Sequence, residues 1–132
     1  MVTRKPTVRP MSYMLLIIEP PGQRATRTEA EGREAYAAMQ RFGQAIAAKG
    51  QLKAVESLAS QGSAVRVSHA SGQPQVLDGP FAEAKEMIGG FFLLQNVTRD
   101  EALAWAHACP AAQWCTVEVR ALAPCFDDSA IT

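Results

Sequence analysis

Asp78-Gly79-Pro80-Phe81-Ala82-Glu83-Ala84-Lys85-Glu86, running on into Met87-Ile88-Gly89-Gly90-Phe91-Phe92, is the stretch whose reading decides the fold. It combines a turn, an aromatic residue, a group of charges and a glycine pair ahead of an apolar run. Pro80 fixes its own φ, has no N–H to donate, and pushes Gly79 towards extended backbone. Gln75-Val76-Leu77 reads as a strand, so Asp78-Gly79-Pro80 marks its end. Residues 81–87 suit a short helical turn, which Gly89-Gly90 breaks before a strand starting at Phe91. Asp78 has two readings. Its carboxylate caps N–H groups just downstream, or it faces a pocket as acid, base or ligand anchor beside Lys85 and Glu83.

Towards the N-terminus, residues 13–18 are apolar in both alternating sets, which predicts a strand buried on both faces. Glu19-Pro20-Pro21 ends it, and a polar loop through Arg24 and Arg27 follows. Thr28-Glu29-Ala30-Glu31 is a capping-box pattern and opens a helix over 28–49. Tyr36, Met39, Phe42 and Ile46 form one apolar stripe assigned to the core, and Lys49-Gly50 closes the helix. A strand over 52–59 comes next. Residues 64–69 alternate, with Val65 and Val67 directed to the core, and Ser71-Gly72-Gln73 turns the chain back into 75–77. His69 lies on the valine side, either a strand-end histidine or an acid–base partner for Asp78.

Towards the C-terminus, residues 91–96 form a strand and Thr98-Arg99-Asp100-Glu101 repeats the capping box. The helix it opens ends at Pro110, with His107 solvent-facing in its last turn. Residues 114–121 alternate and place Cys115, Val117 and Val119 inward, which makes Cys115 a core thiol. Residues 1–10 read as a disordered arm and 123–132 as a flexible tail, leaving a folded domain over 11–122.

Thirteen cationic and thirteen anionic side chains give a net charge of zero. That balance, without a basic stripe, excludes the nucleic-acid-binding class. Three cysteines with no C-x-x-C spacing point to neither a disulfide framework nor a zinc site. The apolar run 13–18 is too short to span a bilayer, and no cleavage site follows it, so a cytoplasmic protein without membrane association is expected. No glycine-rich phosphate loop is present, and no organic cofactor or metal is expected.

The order of elements is two strand–helix–strand units, 13–59 and 91–121, bracketing a hairpin and the 78–86 stretch. This βαβ–β–βαβ order is the ferredoxin-like plan, an α+β fold with helices on one face of an antiparallel sheet. The strands placed centrally are apolar on both sides, so the other face calls for a cover, most economically a second copy of the chain. The 78–86 stretch also resembles the signature of the YCII-related family, in its DGPF-motif branch, and the likeness runs over residues 11–122. The resemblance implies a dimeric α/β barrel, a homodimer joined through its sheet faces.

For function, the resemblance implies action on small cyclic or aromatic compounds by a His–Asp acid–base couple whose histidine lies on the first helix. Residues 28–49 contain no histidine. Asp78, Lys85 and His69 are therefore the catalytic candidates, and Phe81, Glu83, Tyr13 and Phe91 the candidate substrate contacts. The expected chemistry is cofactor-free proton transfer on a small carbonyl, enol or cyclic ligand. The other class of function implied by the resemblance is a non-catalytic accessory protein linked to sigma-factor-dependent transcription.

Overall fold

The computed structural model describes residues 11–131; the arm assigned to residues 1–10 lies outside them. The chain runs β1 (Met11–Glu19), α1 (Glu29–Ala48), β2 (Leu52–Ser57), β3 (Val65–Ala70), β4 (Gln73–Asp78), β5 (Met87–Val97), α2 (Arg99–Ala108) and β6 (Thr116–Ala121). Strands β2, β5, β1 and β6, in that order, form an antiparallel sheet, with the two doubly apolar strands at its centre. This is the ferredoxin-like α+β arrangement. Among the described residues, strands β3 and β4 pair only with each other, as a separate ribbon.

Both helices begin as their sequences dictate. Thr28 and Thr98 each accept a hydrogen bond from the backbone N–H three residues on, and Glu31 and Glu101 reach back to the threonine N–H. Those N–H groups, chiefly, hold both carboxyls below their ordinary range. Gly50 closes α1 with φ of 69°, a conformation that suits glycine.

The core lies between the sheet and the helices. Tyr13, Leu15 and Ile17 of β1 and Phe92 and Leu94 of β5 meet Phe42 and Ile46 of α1 and Ala102 of α2. The Phe42 ring stands edge-on to Phe92 and to Trp105, with centroids 5.1 and 5.9 Å apart. Since successive strand residues point to opposite faces, Met14, Leu16, Ile18 and Leu93 fall on the far face, away from the helices.

Three expectations need correction. Of residues 81–87, expected as a helical turn, 81–86 form a turn-containing loop and Met87 already opens β5, so that Gly89-Gly90 lies inside the strand instead of breaking the chain before it. The glycines are there for close approach: a Cβ on Gly90 would sit 2.8 Å from the Glu56 carbonyl oxygen of β2. Val65 and Val67 do not reach the core. They are 54% and 65% exposed, because the β3–β4 ribbon alternates correctly but no layer packs over it.

Candidate functional site

The residues singled out in the sequence do not converge on one place. Asp78 ends β4, exposed, and its carboxylate accepts no hydrogen bond among the described residues: the Gly79 N–H donates to the Ala64 carbonyl at 2.7 Å, and Pro80 has no N–H. His69 pairs with Pro74 near the ribbon's tip, whereas Asp78 pairs with Val65 at its base. Four residues of strand, about 13 Å, therefore separate the two. Lys85 is exposed on the following turn. Phe81 is buried, with the Arg66 guanidinium 3.8 Å above its ring, and Glu83 lies 3.8 Å from the same guanidinium. Phe81, Arg66 and Glu83 thus form a clip holding the base of the ribbon. Tyr13 is packed in the core.

A cleft of about 570 Å³ lies elsewhere, between α1 and the β2–β5 edge of the sheet. Met39, Gly43 and Ala47 of α1 form one wall and Leu52 and Val55 of β2 the other, over Ile17, Gly90 and Phe92. Tyr36, 55% exposed, stands on the α1 side. The stripe assigned wholly to the core is thus divided: Phe42 and Ile46 fill it, while Tyr36 and Met39 border the cleft. Of the residues proposed from sequence, Phe91 alone borders this cleft.

One end of the cleft is polar, where β1 and β2 finish and β5 begins. Glu19, the last residue of β1, is 6% exposed. Its Oε1 accepts a hydrogen bond from the Arg24 Nε at 2.6 Å. The other Arg24 nitrogens donate to the Leu58 carbonyl at 2.7 Å and the Gly89 carbonyl at 3.2 Å. One guanidinium therefore ties together the ends of three strands. Glu19 Oε2 lies against Gly89, where an added Cβ would sit 2.7 Å away, and forms no hydrogen bond among the described residues.

Arg27 and Trp114 complete this end. The Gln23 Nε2 donates to the Trp114 carbonyl at 2.6 Å, and the Arg27 guanidinium lies 5.5 Å from the Trp114 ring centroid. Cys115, next in the chain, is half-buried with its Sγ 3.2 Å from the Ala111 carbonyl. Burial pushes its thiol up to about 11, aided by the Glu19 charge and opposed by Arg27. Among the described residues no group of three or more His, Cys, Asp or Glu side chains is placed to hold a metal ion. No helix there is long and apolar enough to cross a membrane.

Sequence reading missed this site because its polar residues looked like punctuation. Glu19 was the stop after an apolar run, and Arg24 and Arg27 were loop charges. The available signal was position: a carboxylate ending a strand apolar on both faces has to be drawn into the interior or paired at its edge.

Fold and cleft together define a ferredoxin-like α+β protein with a helix-to-sheet cavity ending in a buried carboxylate paired with a half-buried guanidinium. The chain belongs to the YCII-related domain family, which matches residues 11–125. It is also similar to the uncharacterized protein R00369 of Rhizobium meliloti (strain 1021), at 41% identity over 76 residues. That match spans 56% of this chain and 61% of the relative's length.

Proposed function

We propose that this protein binds a small, largely apolar cyclic molecule in the α1–sheet cleft, and that Glu19 exchanges a proton with it or accepts a hydrogen bond from it. The observation that carries this reading is the Glu19–Arg24 pair. Arg24 fixes one carboxylate oxygen and leaves the other, beside Gly89 of the cleft lining, with no donor among the described residues. A preoriented acceptor beside apolar walls is what proton abstraction next to a carbonyl requires, and a cavity of this size suits a small organic ligand. In such a step the α-carbon proton of a cyclic ketone moves to Glu19, leaving an enolate, and then returns. No cofactor takes part. Asp78, Lys85 and His69 have no part in this reading.

The test uses cyclohexanone in deuterated water, with deuterium incorporation at the α-carbon followed by NMR, and thermal shifts with phenols and lactones. The unmodified chain is expected to accelerate exchange and Glu19→Gln to lose that acceleration. Val55→Trp, which fills the cleft from a strand position that favours aromatics, is expected to abolish the ligand-induced shifts. Equal exchange in the Glu19 variant would remove the chemistry. Equal shifts in the Val55 variant would remove the cleft.

A second reading, contact with another protein, is favoured by the ribbon, where Val65, Val67, Val76 and Leu77 are all more than half exposed. Such an apolar strip suits an accessory role in transcription through protein contact, in keeping with the neutral net charge. Self-association is proposed on separate grounds, the apolar residues on the far face of the sheet.

A further inference from the structure

One cation at the cleft, Arg27, makes no ion pair among the described residues. We propose that Arg27 is the carboxylate-binding residue of the cleft, so that the ligand is a small monocarboxylate with a cyclic apolar body. This rests on the cleft being a binding site, as argued above.

The two arginines at the polar end differ in what they have left to offer. Arg24 spends its Nε and both terminal nitrogens on Glu19, Leu58 and Gly89, and Glu19 neutralises its charge. It is a tie between strand ends. Arg27 borders the same cleft, yet its guanidinium makes no ion pair among the described residues. Glu31 feels its charge, but that carboxylate is committed to the Thr28 N–H. Glu56 borders the cleft from β2 and is exposed, also without an ion pair among the described residues.

Arg27 is also held in place. It lies over the Trp114 ring, and Trp114 is fixed by the Gln23 hydrogen bond to its carbonyl. A guanidinium held by a ring face, here 5.5 Å from the Trp114 centroid, spends none of its N–H groups on that contact, and its fork matches the two oxygens of a carboxylate. Gln23 bonds to Trp114 and its neighbour Arg24 to Glu19, so Arg27, over the Trp114 ring, shares the polar end of the cleft with Glu19. A ligand anchored on Arg27 would lay its ring along Met39, Val55 and Phe92 and bring its carboxylate-bearing end near Glu19. Repulsion from Glu19 is offset by Arg24, whose guanidinium already holds the other Glu19 oxygen.

The test is isothermal titration of the full chain with benzoate and with benzamide, its neutral near-isostere. Unmodified protein, Arg27→Gln, Arg27→Lys, Arg33→Gln and Val55→Trp are compared, each first shown to melt cooperatively. The unmodified chain is expected to prefer benzoate by about tenfold, as a charge-assisted bidentate pair over a neutral one. Arg27→Gln is expected to lose that preference while keeping its benzamide affinity, and Arg27→Lys to recover part of it. Arg33 is an exposed α1 residue paired with Glu29, and its loss is expected to change neither probe. Four results overturn the inference: no preference in the unmodified chain, an unchanged preference in Arg27→Gln, an equal loss in Arg33→Gln, or no binding of either probe. If benzoate and benzamide bind the unmodified chain equally and Val55→Trp abolishes both, the cleft stands and the carboxylate assignment falls. If Val55→Trp leaves both probes unaffected, the cleft falls as well.

Discussion

Glu19 and the three cysteines show how one side chain's chemistry follows from a few ångströms of surroundings. Cys109 is 2% exposed and burial raises its thiol, Cys115 is pushed up to about 11, and Cys125 is exposed on the C-terminal turn. Since the thiolate is the reactive form, only about one in a thousand Cys115 side chains is ionised at pH 8. One fast-reacting thiol per chain is therefore expected with a chromogenic disulfide reagent at pH 8, and three after unfolding. Two fast thiols in the native protein would contradict this environment for Cys115. The inward placement of Cys115 was legible from the alternation of residues 114–121. Glu19 and Arg27 were not, because a charge beside a proline pair or in a polar loop carries no mark of what folds over it. Only the arrival of β5, some seventy residues later, makes Glu19 a buried carboxylate.

Elements with a period of their own were read correctly, and elements defined by close approach were not. Both helices follow from their capping boxes, and the ribbon's turn from Ser71-Gly72, whose φ values of 51° and 75° fit a two-residue hairpin loop. The 78–86 stretch misled because its motif looks chemical, whereas its contacts are mechanical. Gly79 lies against the Gln61 carbonyl, into which an added Cβ would run. Gly79→Ala is expected to cost about 1–3 kcal/mol in urea unfolding, as overpacking against backbone does. Asp78→Ala is expected to stay within about 0.5 kcal/mol of the unmodified chain, as an exposed side chain without a partner should. A loss of a kcal/mol or more at Asp78 would restore it as a structural cap, and a neutral Gly79→Ala would show that the approach to Gln61 yields without cost.

At the scale of the molecule, the central placement of β1 and β5 was legible because only doubly covered strands carry apolar residues in both alternating sets. The helices cover one side. The far side, with Met14, Leu16, Ile18 and Leu93, is the surface on which the proposed homodimer would close. Sedimentation at micromolar concentration is expected to give about twice the 14.2 kDa chain mass, and Leu93→Glu to give the single-chain mass. A single-chain species from the unmodified protein would leave that face without the assigned partner. The proposed cleft opens on the opposite side of the sheet, so assembly and ligand binding draw on different surfaces. Within it, α1 contributes residues as small as Gly32 and Ala35. A Cβ on Gly32 would meet nothing within 4 Å, whereas one on Gly43 would already touch Phe92 at 3.4 Å. The helix therefore has one position that can grow freely and another that is already at its limit. A lineage carrying this fold can retune the volume of the cleft by exchanging residues at the open position, while the contacts that keep it folded stay as they are.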